Sequence, residues 1–176
     1  MDFLSTKHPE VKIIKPNLFE DHRGYFMESY NLKKFKKNGI NLNFVQDNYV
    51  KSNKNTLRGL HFQKNKPQAK LVKCIIGKIF DVAVDIRKES PYFKKWVGVE
   101  LSGKNKFMLY VPEGFAHGYY VMSETSEVSY KCSNIYYKEF DAGICWNDPD
   151  IGITWPCEEP ILSQKDKFAP RLLDLD

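Results

Sequence analysis

The chain has 176 residues, of which 42% are hydrophobic, 28% charged and 14% aromatic, and its formal net charge is +5. That length suits a single domain over residues 1–176 with one sizeable core, and the composition excludes a disordered or low-complexity protein. The mild positive charge leans towards an anionic ligand but lacks the basic stripe of a nucleic-acid binder, and no apolar run approaches the ~18 residues of a membrane span, so neither nucleic acid nor membrane is an expected partner.

In chain order, the stretch from Met1 to Glu10 is polar and carries no signal-peptide core. Val11–Ile14 reads as a short strand. Residues 31–38 read as a surface helix. Asn31 caps its start, Gly39 ends it, and the run Lys33-Lys34-Phe35-Lys36-Lys37 suits the negative end of its dipole. We read those lysines as a solvated face. Strand patterns then follow at Asn43–Val50, Thr56–Phe62, Lys70–Ile76, Lys78–Ile86, Trp96–Leu101, Lys106–Val111, Gly118–Val121, Ser126–Cys132 and Ile144–Trp146. Gly77-Lys78 reads as a hairpin turn between two of them. Gly103, Pro112-Glu113-Gly114 and Pro149 punctuate the rest. Many strands with close turns predict an all-β sandwich or barrel with a few short helices. Cys74, Cys132, Cys145 and Cys157 show no C-x-x-C spacing, so free thiols in a reducing, cytoplasmic compartment are expected.

Alternation points to an interior. In Ile79–Ile86 one face carries Phe80, Val82, Val84 and Ile86, the other Ile79, Asp81, Ala83 and Asp85. Such a strand is expected to be half buried, with the carboxylate face towards solvent or towards a ligand-holding lumen. Two neighbours favour the lumen. His61 and Gln63 share one face of their strand, and Val128, Tyr130 and Cys132 share one face of theirs. Arg58 alternates out of phase with His61, and a bulge at Gly59 would re-aim it.

At Arg58-Gly59-Leu60-His61-Phe62-Gln63 the sequence resembles the dTDP-4-dehydrorhamnose 3,5-epimerase family, a cupin-type jelly roll. The resemblance runs nearly the whole chain. Its other motifs stand in the family's order: Asp21–Glu28, Phe44–Asn48, Lys70-Leu71-Val72, Phe80–Arg87, Val111–Gly118, Tyr130-Lys131-Cys132, Trp146–Pro149 and Leu162–Asp166. It implies a cytoplasmic, cofactor-free isomerase acting on a nucleotide-linked 4-keto sugar. It also implies a homodimer, with a strand or stacking residue shared across the interface.

The chemistry such a substrate needs is a base, a stabiliser for the enolate oxygen and an acid on the opposite face. His61 suits the base, since an imidazole of pKa about 6.5 titrates near working pH. The family pattern puts Asp166 in a dyad with it and Asp81 nearby, and which of the two orients His61 stays open. By alternation alone Lys70 is a surface lysine and Tyr130 a packed strand tyrosine. The resemblance makes Lys70 the enolate stabiliser and Tyr130 the acid, with nearby cations easing the phenol's ionisation. Arg23 and Arg58 are the expected diphosphate clamps. Phe26, Glu28, Gln46, Asp47, Asn48, His117 and Lys165 match substrate-contacting positions, and Tyr136 matches a base-stacking one. For Glu28 and Asp47 a plain structural or surface carboxylate is the competing reading.

Three rivals remain in view. Metal-dependent cupins want two histidines flanking one residue; here that place reads His61-Phe62-Gln63, so no metal site is expected. A non-catalytic sugar-nucleotide binder would not need His61, Lys70 and Tyr130 together. A single-centre epimerase is the third, and the motifs separate it poorly from a double one.

Overall fold

Short alternating runs broken by glycine and proline favour strands over helices. A computed structural model describes residues 1–175, and among them thirteen strands form. They are β1 (Asp2–Ser5), β2 (Lys12–Lys15), β3 (Phe19–Asp21), β4 (Gly24–Phe26), β5 (Gln46–Asn53), β6 (Leu57–Gln63), β7 (Lys70–Ile76), β8 (Lys78–Asp85), β9 (Trp96–Ser102), β10 (Met108–Val111), β11 (Phe115–Val121), β12 (Thr125–Cys132) and β13 (Asp141–Gly143). Helix is limited to α1 (Leu32–Lys37), α2 (Gln164–Lys167) and two single 3-10 turns. The Asn31 side chain caps α1 by accepting from the Lys34 N–H, as its sequence implies. No helix among the described residues is long and apolar enough to cross a membrane.

Two sheets form, ordered β1-β2-β10-β7-β12-β5 and β13-β6-β11-β8-β9, with β3–β4 as a separate hairpin. They face each other as the expected jelly roll. The sheets stay open at their edges, so the architecture is a sandwich and not a closed barrel. Between them lies one core of Val72, Ile79, Ala83, Leu109, Phe115, Val128 and their neighbours. The outer face of the first sheet is covered by α1, where Phe35 is fully buried against Ile14, Leu71 and Met108. The C-terminal stretch covers the outer face of the second through Ile144, Ile151, Trp155 and Leu172.

Three expectations need correction. Gly77 does not turn a hairpin, because β7 and β8 belong to different sheets. It is the corner where the chain leaves one sheet for the other, at φ +81°, and an added Cβ there would lie 2.1 Å from the Thr125 carbonyl oxygen. The strand Ile79–Ile86 is buried on both faces and not half buried, since the C-terminal stretch packs over Val82 and Val84. The last strand is Asp141–Gly143, pairing with β6, whereas Ile144–Trp146 lies beyond it. Strands β1, β3 and β4 had no clear pattern in the sequence.

The inward face of β8 carries two fully buried carboxylates with separate fates. Asp85 ends the strand and ties down the N-terminal segment. Its carboxylate takes hydrogen bonds from Arg87 Nε (2.9 Å) and Ser90 Oγ (2.6 Å) and meets His8 Nε2 at 3.2 Å, while Arg87 also grips Glu10. Burial alone pushes the Asp85 pKa up, but the Arg87 and Ser90 hydrogen bonds win and hold it at about 2. A depressed carboxyl pKa stabilises the fold above its unfolded value of about 4, and that contribution fades as pH falls towards the folded value. We expect Asp85→Ala to cost about 3 kcal/mol at neutral pH. Thermal melts should show the gap from the native protein closing as pH falls through that window; a gap independent of pH would mean that the contribution is packing, not charge.

Candidate active site

The site grows from one local irregularity. Along the β6–β11 ladder His117 faces His61, yet Tyr119 faces Arg58, so three steps of β6 oppose two of β11. The extra residue is the bulge expected at Gly59. Gly59 has φ +129°, and a Cβ there would sit 2.6 Å from Gly118 Cα, so glycine is required. The bulge puts Arg58 on the same side of the sheet as His61. Arg58 Nε then reaches across to Ser52 Oγ on β5 at 3.0 Å, joining the two sheets at their open edge.

At that edge a cavity of about 290 Å³ opens between the sheets. Its walls are chemically distinct. The first sheet supplies Gln46 and Asn48 from β5, Tyr130 from β12 and Lys70 from β7. The second supplies His61, Phe62 and Gln63 from β6 and Asp141 from β13, with Tyr136 and Lys165 at the rim. His61 and Tyr130 therefore stand on opposite walls. Larger grooves lie elsewhere on the surface, but none gathers this set of side chains.

Of the two aspartates, Asp166 is the one that lies beside His61. His61 Nε2 lies 2.5 Å from Asp166 Oδ1. Ser163 caps α2 by accepting from the Asp166 N–H, which fixes the carboxylate beneath the imidazole. Asp166 is 4% exposed at its side chain while His61 keeps 33%, so the pair is anchored below and open above. Burial raises the Asp166 pKa, but hydrogen bonds from His61, Ser163 and the Gly59 N–H hold it below the ordinary carboxylate value. With Nε2 committed, Nδ1 is the nitrogen left to accept a proton.

Asp81 instead serves His117, at 2.9 Å, and both are buried. Burial pushes the His117 pKa down, partly offset by the Asp81 carboxylate. Each imidazole is thus engaged with its own carboxylate, and among the described residues no group of three His, Cys, Asp or Glu side chains gathers as a metal cluster would.

Lys70 is half-buried, and burial lowers its pKa, against the pull of Cys132, Asp81 and Asp141. Its Nζ lies 5.8 Å from the centre of the Tyr130 ring. Tyr130 is pulled in both directions. Burial, helped by Cys132 and Tyr119, pushes its pKa up to about 12, and the opposing charge of Arg58 does not overcome this. In the free protein the phenol therefore holds its proton more tightly than a solvated one, with Arg58 easing its ionisation only in part.

Other candidates lie apart. Arg23 and Phe26 sit on the exposed β3–β4 hairpin, with Arg23 paired to Asp21 and Phe26 69% exposed. Glu28 pairs with Lys34 and Asn31 at the start of α1. Asp47 pairs with Lys131 on the outer face of the first sheet. None of these four lines the cavity of its own chain. Asp141 was missed by the sequence reading, which had no pattern to find it. It accepts from both Lys165 Nζ and the Tyr136 hydroxyl. Gln63 was visible as a face-mate of His61 but was given no role.

The chain is similar to known proteins along nearly its whole length. Residues 5–174 match the family model described as dTDP-4-dehydrorhamnose 3,5-epimerase. A curated dTDP-4-dehydrorhamnose 3,5-epimerase of Shigella flexneri is 51% identical over 100% of this chain and 98% of its own. A solved dTDP-6-deoxy-D-glucose-3,5-epimerase of Legionella pneumophila, in complex with dTDP-4-keto-L-rhamnose, is 46% identical, with a TM-score of 0.97 over 99% of this chain and 94% of that one. A solved dTDP-4-dehydrorhamnose 3,5-epimerase of Elizabethkingia anophelis is 51% identical, with a TM-score of 0.95 over 99% and 97%.

Proposed function

The chain belongs to the dTDP-4-dehydrorhamnose 3,5-epimerase family, and from that premise we propose how its cavity inverts C3 and C5 of dTDP-4-dehydro-6-deoxy-D-glucose to give dTDP-4-dehydro-L-rhamnose. The protein is an isomerase, and the observation that carries its mechanism is the placement of His61 and Tyr130 on opposite walls. Each inversion removes a proton α to the C4 ketone from one face of the ring and returns one to the other. His61 Nδ1 takes the proton, and Asp166 steadies the imidazolium that results. Charge moves onto the C4 oxygen, where the Lys70 ammonium stabilises it. Tyr130 then protonates the carbon from the opposite face. Its raised pKa suits an acid of this kind, because the phenol keeps its proton until a strongly basic enolate carbon is there to receive it. The reaction moves only protons and is redox-neutral, so it calls on no cofactor.

Asn48 and Gln46 offer amide groups to the sugar and phosphates from β5, and Arg58, which bridges to Ser52 on the same strand, is the guanidinium we assign to the diphosphate. Lys165 and Tyr136 at the rim suit the nucleotide, with the half-exposed Tyr136 ring as a platform for the base. Arg23 and Phe26 do not line the cavity of their own chain. Their hairpin pairs only with itself and exposes Phe19, Tyr25 and Phe26, which supports a homodimer in which one copy's hairpin serves the other's cavity. A monomer in sedimentation would remove that reading. Four free cysteines, two of them buried, suit a cytoplasmic setting.

The direct test is NMR of dTDP-4-dehydro-6-deoxy-D-glucose in D₂O with the protein and no added metal. Deuterium at both C3 and C5 is expected; exchange at one carbon would make the protein a single-centre epimerase. In Tyr130→Phe, abstraction should persist while completed inversion drops about 10²-fold. Inversion at the native rate in that variant would leave Tyr130 as a packing residue.

A further inference from the structure

At the position where metal-dependent cupins carry a second histidine, this chain has Gln63, and its amide is fully used. Gln63 is 5% exposed and lies two residues beyond His61 on the same face of β6. Its Oε1 accepts the Tyr137 N–H at 2.6 Å. Its Nε2 donates to the Lys66 carbonyl at 2.8 Å and lies 3.4 Å from the Ile135 carbonyl. The Ile135 carbonyl and the Tyr137 N–H flank Tyr136 on both sides, while the Lys66 carbonyl belongs to the neighbouring loop. The Tyr136 N–H itself donates to Gln46 Oε1 at 2.7 Å. The two consecutive peptide units on either side of Tyr136 are thus gripped by two glutamines, one from each sheet.

The grip matters because the Tyr136 ring has little else to hold it. The residue is 50% exposed, and its side chain makes one tether, from the hydroxyl to Asp141. A half-exposed ring costs conformational entropy to order when a ligand stacks on it, unless its backbone is already fixed. Gln63 also pins the neighbouring loop through Lys66, whose ammonium lies 4.6 Å from the centre of the Tyr137 ring. Gln68 and Asn134 tie the same two loops together from the far side.

We propose that Gln63 is a positioning residue that pre-orders Tyr136 and so sets the enzyme's affinity for the nucleotide, while the proton chemistry at His61 and Tyr130 proceeds without it. This rests on the reading of Tyr136 as the platform for the nucleobase. Gln63→Met keeps the side chain's volume and removes its hydrogen bonds. The expected result is a roughly tenfold rise in both KM and the Kd for dTDP, the size of one or two lost buried hydrogen bonds, with kcat falling much less.

Tyr136→Ala separates the two ideas. If it leaves the Kd for dTDP unchanged, the platform reading fails and the role of Gln63 fails with it. If it weakens dTDP, Gln63→Met should add little in the Tyr136→Ala background, because its target is gone. A full, additive loss there would overturn the proposal, as would a Gln63→Met enzyme that lowers kcat and leaves KM unmoved. Should the Met variant fail to fold, Gln63→Asn keeps a buried amide too short to bridge both loops and is expected to show the same rise in KM and Kd. Native affinity in a folded Asn variant would overturn the proposal equally.

Discussion

His61→Ala is expected to stop deuterium exchange at both C3 and C5 and to lower turnover by as much as ~10⁴-fold, the upper range for removing a general base. Both carbons should suffer together, because the cavity presents a single imidazole with accessible surface, anchored from below by Asp166. His117 is no substitute: it is buried and already engaged with Asp81. The fold should survive, since His61 is one-third exposed and its removal opens no sealed cavity. NMR in D₂O reads the result directly. Exchange at either carbon at the native rate would remove His61 from the mechanism at that carbon. Asp166→Asn should fall between the two, since an amide can still hold the ring but cannot stabilise an imidazolium. Full activity in that variant would show that the carboxylate's charge is not used.

The contrast between the two histidine–aspartate pairs shows how far sequence alone reaches. Period-two alternation placed His61, Asp81 and Tyr130 on inward faces, and the structure puts them there. Even the phase conflict at Arg58 was legible, because only a bulge at Gly59 could resolve it. Alternation carries no information on which strand faces which, however. It could not choose between Asp81 and Asp166, because that choice depends on α2 folding back beneath β6 from the far end of the chain. Gly77 was misread for a related reason. A glycine between two strands signals a sharp turn, but a turn within one sheet and a corner between two sheets need the same residue. Asp141 was invisible because its short strand has no apolar partner pattern and is defined only by pairing with Gln63, Phe62 and His61. For Tyr130 both influences were legible, a packed strand position and a nearby cation, but not their balance, which burial wins.

Lys70 is where stability and activity should part company. Lys70→Met removes the charge proposed to stabilise the enolate oxygen and keeps a stem of similar length in the cavity wall. Loss of one such stabilising group is expected to lower kcat by about 10²- to 10³-fold. Burial already lowers the Lys70 pKa, so the folded state disfavours the very charge that the proposed mechanism uses. The folded protein therefore gives up this proton at lower pH than the unfolded chain does. Between those two pKa values the unfolded state binds more protons, and stability rises with pH. In Lys70→Met that rise should be absent, and the melting temperature at neutral pH should equal or exceed the native value, the usual exchange at a functional site. Activity should move the other way. In the native enzyme kcat should decline on the alkaline side below the ordinary lysine range, as the ammonium is lost. Tyr130 cannot cause that decline, because burial holds its pKa up at about 12. Lys70→Arg, whose guanidinium does not titrate in this range, should keep part of the rate and shift the alkaline limb upward. A limb that stays in place in the arginine variant would assign it to another group, and a Met variant with near-native kcat would leave Lys70 as a wall residue only.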